Sequence, residues 1–368
     1  VRLVFTHEQE SLRRMVRDLL AARAGESEVR RLMDTDTGID PALWAEFAGL
    51  GLCGLAVPEE FGGAGAGFVE VGVVLEELGA SLACLPYLSS VVLAQSLLLA
   101  CDDRDAQARW LPGLATGDIR ATVALNEAGG WWDGREPGTR ARADGAGWRL
   151  SGEKTFVLDG HTADLVFVVA GTERGSSVFA VTDGCVRTSL PTMDQTRKQA
   201  RLEFDGTPAE LVGTDGGGAA PVSRMLEIAA TGLSAEAVGG ARAVLDSSVA
   251  YARTRVQFGR PIGGFQAIKH KCADLLLRVE TARSAAYHAL WTVAENDPDE
   301  LPLAAGLAKA YCTDAYAHAA EENIQIHGGI GFTWEHSAHL HYKRAKSSQL
   351  LFGDPAQHRE LLADRIGI

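Results

Sequence analysis

A mainly α-helical fold with a central β unit is what this 368-residue sequence predicts. The expected order is an N-terminal α-helical domain, a middle antiparallel β sandwich or barrel, and a C-terminal four-helix bundle. Three observations predict it. Apolar residues recur at spacings of three and four between residues 6 and 117. From about 119 to 212 the texture changes to short β-rich runs separated by Gly and Asp turns. From Val222 onward the helical period returns in segments far longer than an average helix. Domains of 1–117, 118–213 and 222–368 follow, with the Gly- and Ala-rich stretch after Gly213 as a linker.

The first helix is announced by Thr6 as N-cap and Gln9 at capping-box spacing, ahead of Leu12, Met15, Val16, Leu19 and Leu20 on one face. Trp44, Phe47 and Ala48 share a second face, and Val71, Val74, Leu75 and Leu78 a third. Pro58 and the run Gly62 to Gly67 punctuate between them. The apolar stretch Tyr87 to Cys101 contains Ser89, Ser90, Gln95 and Ser96 and is shorter than the roughly 20 residues of a bilayer crossing, so a buried helix is expected. Strands are expected at Thr139–Ala143, Trp148–Leu158, Leu165–Ala170, Val178–Thr182 and Leu202–Phe204. Asp144-Gly145 and Asp183-Gly184 mark turns. In the last segment Leu226, Leu233, Val238, Ala241, Val244, Leu245, Ser248 and Ala252 line one helix; Leu275, Leu276, Val279, Ala282, Ala286 and Ala289 line a second. Two more helices, near Pro302–Ile326 and Ser337–Phe352, complete an antiparallel bundle.

Charge and cysteine content exclude several functions. Lys plus Arg number 35 against 48 Asp plus Glu, a net charge of −13, so the molecule repels polyanions and no nucleic-acid partner is expected. No membrane association is expected either. The start Val1-Arg2-Leu3-Val4-Phe5 lacks the apolar core of a secretory signal, and the expected location is the cytoplasm. Cys53, Cys84, Cys101, Cys185, Cys272 and Cys312 lie far apart with no Cys-x-x-Cys pair, so they read as reduced core thiols. His336, His339 and His341 lack a carboxylate at matching spacing and are expected at a surface, with no metal site. The pair Trp131-Trp132 reads equally as a ligand cover or a cap on the β unit.

Two linear blocks carry the most information. Arg253-Thr254-Arg255-Val256-Gln257-Phe258-Gly259-Arg260-Pro261-Ile262, followed by Phe265-Gln266-Ala267-Ile268, resembles the most characteristic segment of the acyl-CoA dehydrogenase family. Ile324-Gln325-Ile326-His327-Gly328-Gly329-Ile330-Gly331-Phe332 is similar to that family's Gln-Ile-x-Gly-Gly-x-Gly signature. The resemblance spans essentially the whole chain, and it implies FAD as cofactor and FAD contacts at Arg255, Gln257, Phe258, Ile262, Gln266, Gln325, Gly328 and Gly329. Physically, Arg255 offers a fork of donors for a pyrophosphate, Gln257 a neutral hydrogen bond and Phe258 an apolar wall. Gly328 and Gly329 let backbone N–H groups approach a phosphate closely. The resemblance also implies that these residues grip the FAD of a neighbouring subunit, which requires a homo- or hetero-oligomer.

Members of the family desaturate an acyl-CoA thioester. A carboxylate takes the α-proton while hydride leaves the β-carbon for the flavin. In much of the family the base is a Glu just before the Gly that follows the last bundle helix; here that position holds Phe352, before Gly353. The alternative position, on the first long bundle helix, holds Ala229, and the neighbouring Arg is matched by Ala230. The flavin loop is matched loosely by Asn126-Glu127-Ala128. The aromatic-x-Thr that meets the flavin ring is matched by Phe156-Val157-Leu158, without the hydroxyl.

With no catalytic residue assigned, four readings follow, the fourth being a purely structural protein that binds no flavin. The first is a non-catalytic, FAD-completing chain of a heteromeric acyl-CoA dehydrogenase, resembling those that handle bulky thioesters. A homologous subunit would then bind the acyl-CoA. The second is an active homo-oligomer whose base has moved to Glu227 or Asp354. Asp354 reads as readily as the cap of a final helix. The third is a flavin-dependent monooxygenase of the same fold, which needs no thioester base.

Overall fold

The computed structural model describes residues 5–129, 136–145 and 147–368; the Trp131-Trp132 pair lies outside the described residues. In chain order the elements begin with α1 (His7–Arg23), α2 (Glu26–Met33), α3 (Pro41–Gly49) and α4 (Phe68–Ser81). A π-helical stretch, Leu88–Ala94, then runs into α5 (Gln95–Ala100), followed by α6 (Arg104–Ala115). The strands are β1 (Ala121–Ala124), β2 (Arg140–Asp144), β3 (Gly147–Leu158), β4 (Leu165–Gly171), β5 (Ser176–Val181), β6 (Val186–Leu190) and β7 (Gln199–Val212). After α7 (Ala219–Thr254) come the short β8 (Val256–Gln257) and β9 (Arg260–Pro261). The chain closes with α8 (Gln266–Ala294), α9 (Leu301–His327), α10 (Ala338–Leu350) and α11 (Pro355–Ile366).

The chain gathers into two compact units. One holds the described part of Val1–Arg30 with Phe68–Ala83 and Ala230–Ile368; the other holds Arg31–Gly67 and Cys84–Ala229. In the first, α1 opens with the expected capping box. Gln9 N–H donates to Thr6 Oγ1 at 3.2 Å and Thr6 N–H to Gln9 Oε1 at 3.0 Å. The bundle core is built from Val238, Ala241, Val244 and Leu245 of α7, Leu275, Val279 and Ala282 of α8, and Ala308, Cys312 and Tyr316 of α9. Each Val or Leu buried there contributes roughly 1.5–3 kcal/mol of transfer free energy. Leu276, expected on the buried face of α8, is 46% exposed, because its neighbour Leu275 takes the inward position. The helices α4 and α7 cross on glycine: a Cβ at Gly239 would lie 1.7 Å from the Glu76 carbonyl oxygen.

The second unit contains the sheet, in the path β1-β4-β2-β3-β7-β5, with β6 on β7. An additional β4–β5 pairing closes β4, β2, β3, β7 and β5 into a ring, whose weakest link is the single β2–β4 pair Arg140–Gly171. Most pairings are antiparallel as expected, but β1 joins β4 in parallel, Ala121 opposite Leu165, and β2 meets β4 in parallel at Arg140 opposite Gly171. No hairpin links these pairs, so nothing local imposes the antiparallel sense. The stretch expected as a buried helix is helical and buried. Its hydroxyls are satisfied: Ser89 Oγ donates to Asp159 at 2.6 Å and Ser90 Oγ to the Ala121 carbonyl at 3.0 Å. All six cysteines are free; Cys53, Cys84 and Cys312 are buried and the others half-buried. Among the described residues no helix is long and apolar enough to cross a membrane.

Candidate cofactor and active site

The helix α7 delivers Arg255. Its N–H still donates to the Tyr251 carbonyl at 2.8 Å, and its own carbonyl accepts from Ile262 N–H at 2.8 Å, which closes a hairpin over residues 256–261. Val256 faces Pro261 and Gln257 faces Arg260. Both turn residues, Phe258 (φ 52°) and Gly259 (φ 76°), are left-handed, as a tight two-residue hairpin demands. The turn thrusts the Phe258 ring outward, 93% exposed, with Phe265 edge-on at 6.0 Å. Arg255, Gln257 and Gln266 are exposed and Ile262 is half-buried. The Gln257 side-chain amide donates to the Val256 carbonyl at 2.9 Å. Among the described residues Arg255 makes no ion pair, so its guanidinium donors face outward.

The second block ends α9. Gln325 is exposed on the last turn, and Gly328 takes φ 64° and ψ −139°, a conformation that only glycine adopts freely. Nothing lies within 4 Å of where a Cβ would sit on Gly328 or Gly329, so their backbone edge is open. The blocks meet through rings: Tyr251, one turn before Arg255, stacks on His327, next to Gly328, at 4.3 Å and 28°. Gln325 also lines a cleft of about 570 Å³ with Phe332, Trp334, His339, Tyr342 and Lys343.

The nearby histidines turn to three separate partners. His336 Nδ1 accepts from Ala338 N–H at 3.1 Å, His339 Nε2 donates to the Trp334 carbonyl at 3.0 Å, and His341 Nδ1 pairs with Tyr316 Oη at 2.8 Å.

At the position of the family's base, Phe352 is 5% exposed and held at φ 60°, followed by Gly353 at φ 95°. A phenyl ring accepts no proton, and the turn around it is anchored from below. Lys309 Nζ donates to the carbonyls of Gly353 at 2.8 Å and Gln349 at 3.2 Å, and His358 Nε2 donates to the Phe352 carbonyl at 3.0 Å. Burial pushes Lys309 down to about 7, against the pull of Asp354 and Asp314. Burial and the Lys309 charge push His358 down to about 4. Asp354 is the N-cap of α11, accepting from Gln357 N–H at 2.8 Å, so its carboxylate has structural work. Ala229 and Ala230 are buried, and Glu227 is half-buried with a partner of its own.

In the sheet unit, Phe156 sits at φ 54° on a bulge in β3 and is 47% exposed. Leu158 is buried, its carbonyl accepting from Thr122 Oγ1 at 2.6 Å. The Asn126-Glu127-Ala128 loop is tied to β3 by a residue that pattern reading passes over. Lys154, wholly buried, donates to the Leu125 carbonyl at 3.0 Å and Glu127 Oε1 at 2.6 Å. Burial pushes Lys154 down to about 8, with Glu127 opposing. The signal for Lys309 is a single Lys inside an otherwise apolar or small-residue run, whereas Lys154, next to Glu153 in a strand that also carries Arg149, has none.

Comparison with known proteins gives these features a frame. Residues 6–118 match the acyl-CoA dehydrogenase N-terminal domain, and residues 216–367 the acyl-CoA dehydrogenase C-terminal domain. The chain is 34% identical over 353 residues to the acyl-CoA dehydrogenase IpdE2 of Mycolicibacterium smegmatis, covering 96% of each. It is similar to a chain of the ChsE4-ChsE5 complex from Mycobacterium tuberculosis, with a TM-score of 0.90, 30% identity and coverage of 100% of this chain and 99% of that one. It is likewise similar to a chain of the Tcur3481-Tcur3483 steroid ACAD, with a TM-score of 0.88, 31% identity and coverage of 98% and 97%. With both domain models matched and relatives aligned along nearly its whole length, the chain belongs to the acyl-CoA dehydrogenase family of flavin-dependent oxidoreductases.

Proposed function

We propose that this chain is the non-catalytic, FAD-completing subunit of a heteromeric acyl-CoA dehydrogenase, with residues 1–117, 118–213 and 222–368 as its domains. A homologous subunit supplies the base and binds the acyl-CoA. The observation that carries this reading is a contrast. The outward-facing donors of Arg255 and the open edge at Gly328–Gly329 remain, while Phe352 and Ala229 leave both base positions without a carboxylate and Ala230 leaves the neighbouring position without an arginine. When bound, FAD supplies the hydride acceptor. Arg255 would hold its pyrophosphate with a charged fork, Gln257 and Gln325 would add neutral hydrogen bonds, and the glycine N–H groups would complete the cradle. Phe258, Ile262 and the stem of Gln266 would wall it from water. Likeness to chains of the ChsE4-ChsE5 complex and of a steroid ACAD supports both the mixed assembly and a bulky, steroid-type acyl-CoA as its substrate class.

Of the two moved-base candidates, Asp354 caps α11 and Glu227 is half-buried with a partner of its own. The test is to purify the chain alone and together with a homologous subunit, then measure bound flavin and dye-linked dehydrogenation. Flavin and activity are expected only in the mixture; full activity of the isolated chain overturns the proposal.

A further inference from the structure

We infer that Tyr251 and His327 are positioning residues for nucleotide binding: their stacked rings hold Arg255 in register with the Gly328–Gly329 edge. The inference rests on the function proposed above for those three residues and adds Tyr251, which lies outside both linear blocks, and His327, which fills the variable position of the second. Arg255 and Gly328 are far apart in sequence, on α7 and at the end of α9, and a pyrophosphate gripped by both needs their spacing fixed.

The ring contact is built from both sides. His327 Nδ1 lies 2.8 Å from the Asn323 carbonyl. A carbonyl only accepts, so Nδ1 carries the proton and the ring plane is set. One face of the ring meets Tyr251 at 4.3 Å, and His336 approaches at 4.5 Å. The His327 Cβ lies 2.9 Å from where a Cβ on Gly331 would stand, so the glycine loop closes directly against this residue. One turn back, Ser248 Oγ donates to Asn323 Oδ1 at 2.8 Å, a second link between α7 and α9 that does not touch the loop. Arg255 hangs from Tyr251 by its N–H at 2.8 Å. That bond is the last helical one, made by the Tyr251 backbone carbonyl, so the ring contact ties the end of α7 that leads into Arg255 to the residue before Gly328, whereas the serine link joins the two helices one turn away from the loop.

The test compares Tyr251→Leu, Tyr251→Phe and Ser248→Ala in the full chain. Two quantities are read: hydrogen exchange of the 328–332 amides without nucleotide, and FAD affinity of the complex formed with the homologous subunit. Tyr251→Leu is expected to speed exchange there and raise the FAD Kd about tenfold or more. Tyr251→Phe keeps the stack and should stay within about twofold of wild type. Ser248→Ala should lower the melting temperature while leaving both readouts near wild type. Unchanged exchange in Tyr251→Leu, or equal loss of FAD affinity in Ser248→Ala, overturns the inference. Should the wild-type complex hold no FAD, the proposed function fails, and the exchange comparison alone decides the present inference.

Discussion

Lys309 Nζ lies 2.8 Å from the Gly353 carbonyl, so a buried lysine props the turn that carries Phe352, where the family resemblance leads us to expect a base. The turn takes a left-handed backbone, φ 60° and 95°, around a residue that has no carboxylate. The ring of Phe352 has become core. Truncation in Phe352→Ala should cost about 3 kcal/mol by loss of burial plus the cavity left behind. Because the residue carries no chemistry, turnover of the mixed assembly should stay at wild-type level below the melting transition. Urea unfolding and dye-linked turnover on the same preparation check both halves; a drop in turnover without loss of stability would reinstate a role for this position.

The same turn makes stability depend on pH through His358. Its folded pKa of about 4 lies below the ordinary histidine value of 6.5, so the unfolded chain binds the extra proton first. The stabilisation is fully present above pH 6.5 and is lost as pH falls toward 4. Of order 2 kcal/mol is at stake after allowance for partial exposure. His358→Gln keeps a donor for the Phe352 carbonyl and does not titrate. Melting curves across that window should fall less steeply for this variant than for wild type, and parallel curves would count against the assignment.

What the sequence made legible was local or linear. The Thr6–Gln9 capping box needs only three residues of spacing, and the Arg255 to Ile262 block is contiguous, so both could be read without a structure. The ring contact between Tyr251 and His327, the prop from Lys309 to Gly353 and the tie from Lys154 to Glu127 depend on how distant elements meet. No spacing rule reaches them. β1 escaped because Ala121–Ala124 is too short to show alternation, and β6 because Val186–Leu190 is largely exposed and polar. Helical periodicity placed Leu275 and Leu276 together, yet Leu275 is 1% and Leu276 46% exposed, because the two point about 100° apart and only Leu275 meets the neighbouring helices.

Arg255 should separate binding from folding. It is exposed and makes no ion pair among the described residues, so its removal leaves no buried group unpaired. Arg255→Gln is expected to weaken FAD binding by the mixed assembly by about 1.5–3 kcal/mol, the worth of a charge-assisted hydrogen bond, with an unchanged melting temperature of the flavin-free chain. Arg255→Lys should recover only part of the loss, because a point charge does not reproduce the planar fork. Fluorescence titration of the apo assembly with FAD measures it. Equal affinity in all three would remove Arg255 from the site.

Inside the bundle, Glu236 of α7 and Arg344 of α10 form an ion pair with side chains only 6% and 4% exposed. Two charges taken from water stabilise the fold only while both remain. Arg344→Leu alone strands a buried carboxylate and should cost about 3–5 kcal/mol. Glu236→Leu strands the guanidinium and should cost a similar amount, although each residue has further contacts that soften the loss. The double variant buries two apolar side chains in place of two ions and should recover most of the stability, giving a large positive coupling in a double-mutant cycle. Denaturant midpoints of the four proteins measure that coupling; additive losses would mean that the pair is held by its surroundings and not by mutual attraction.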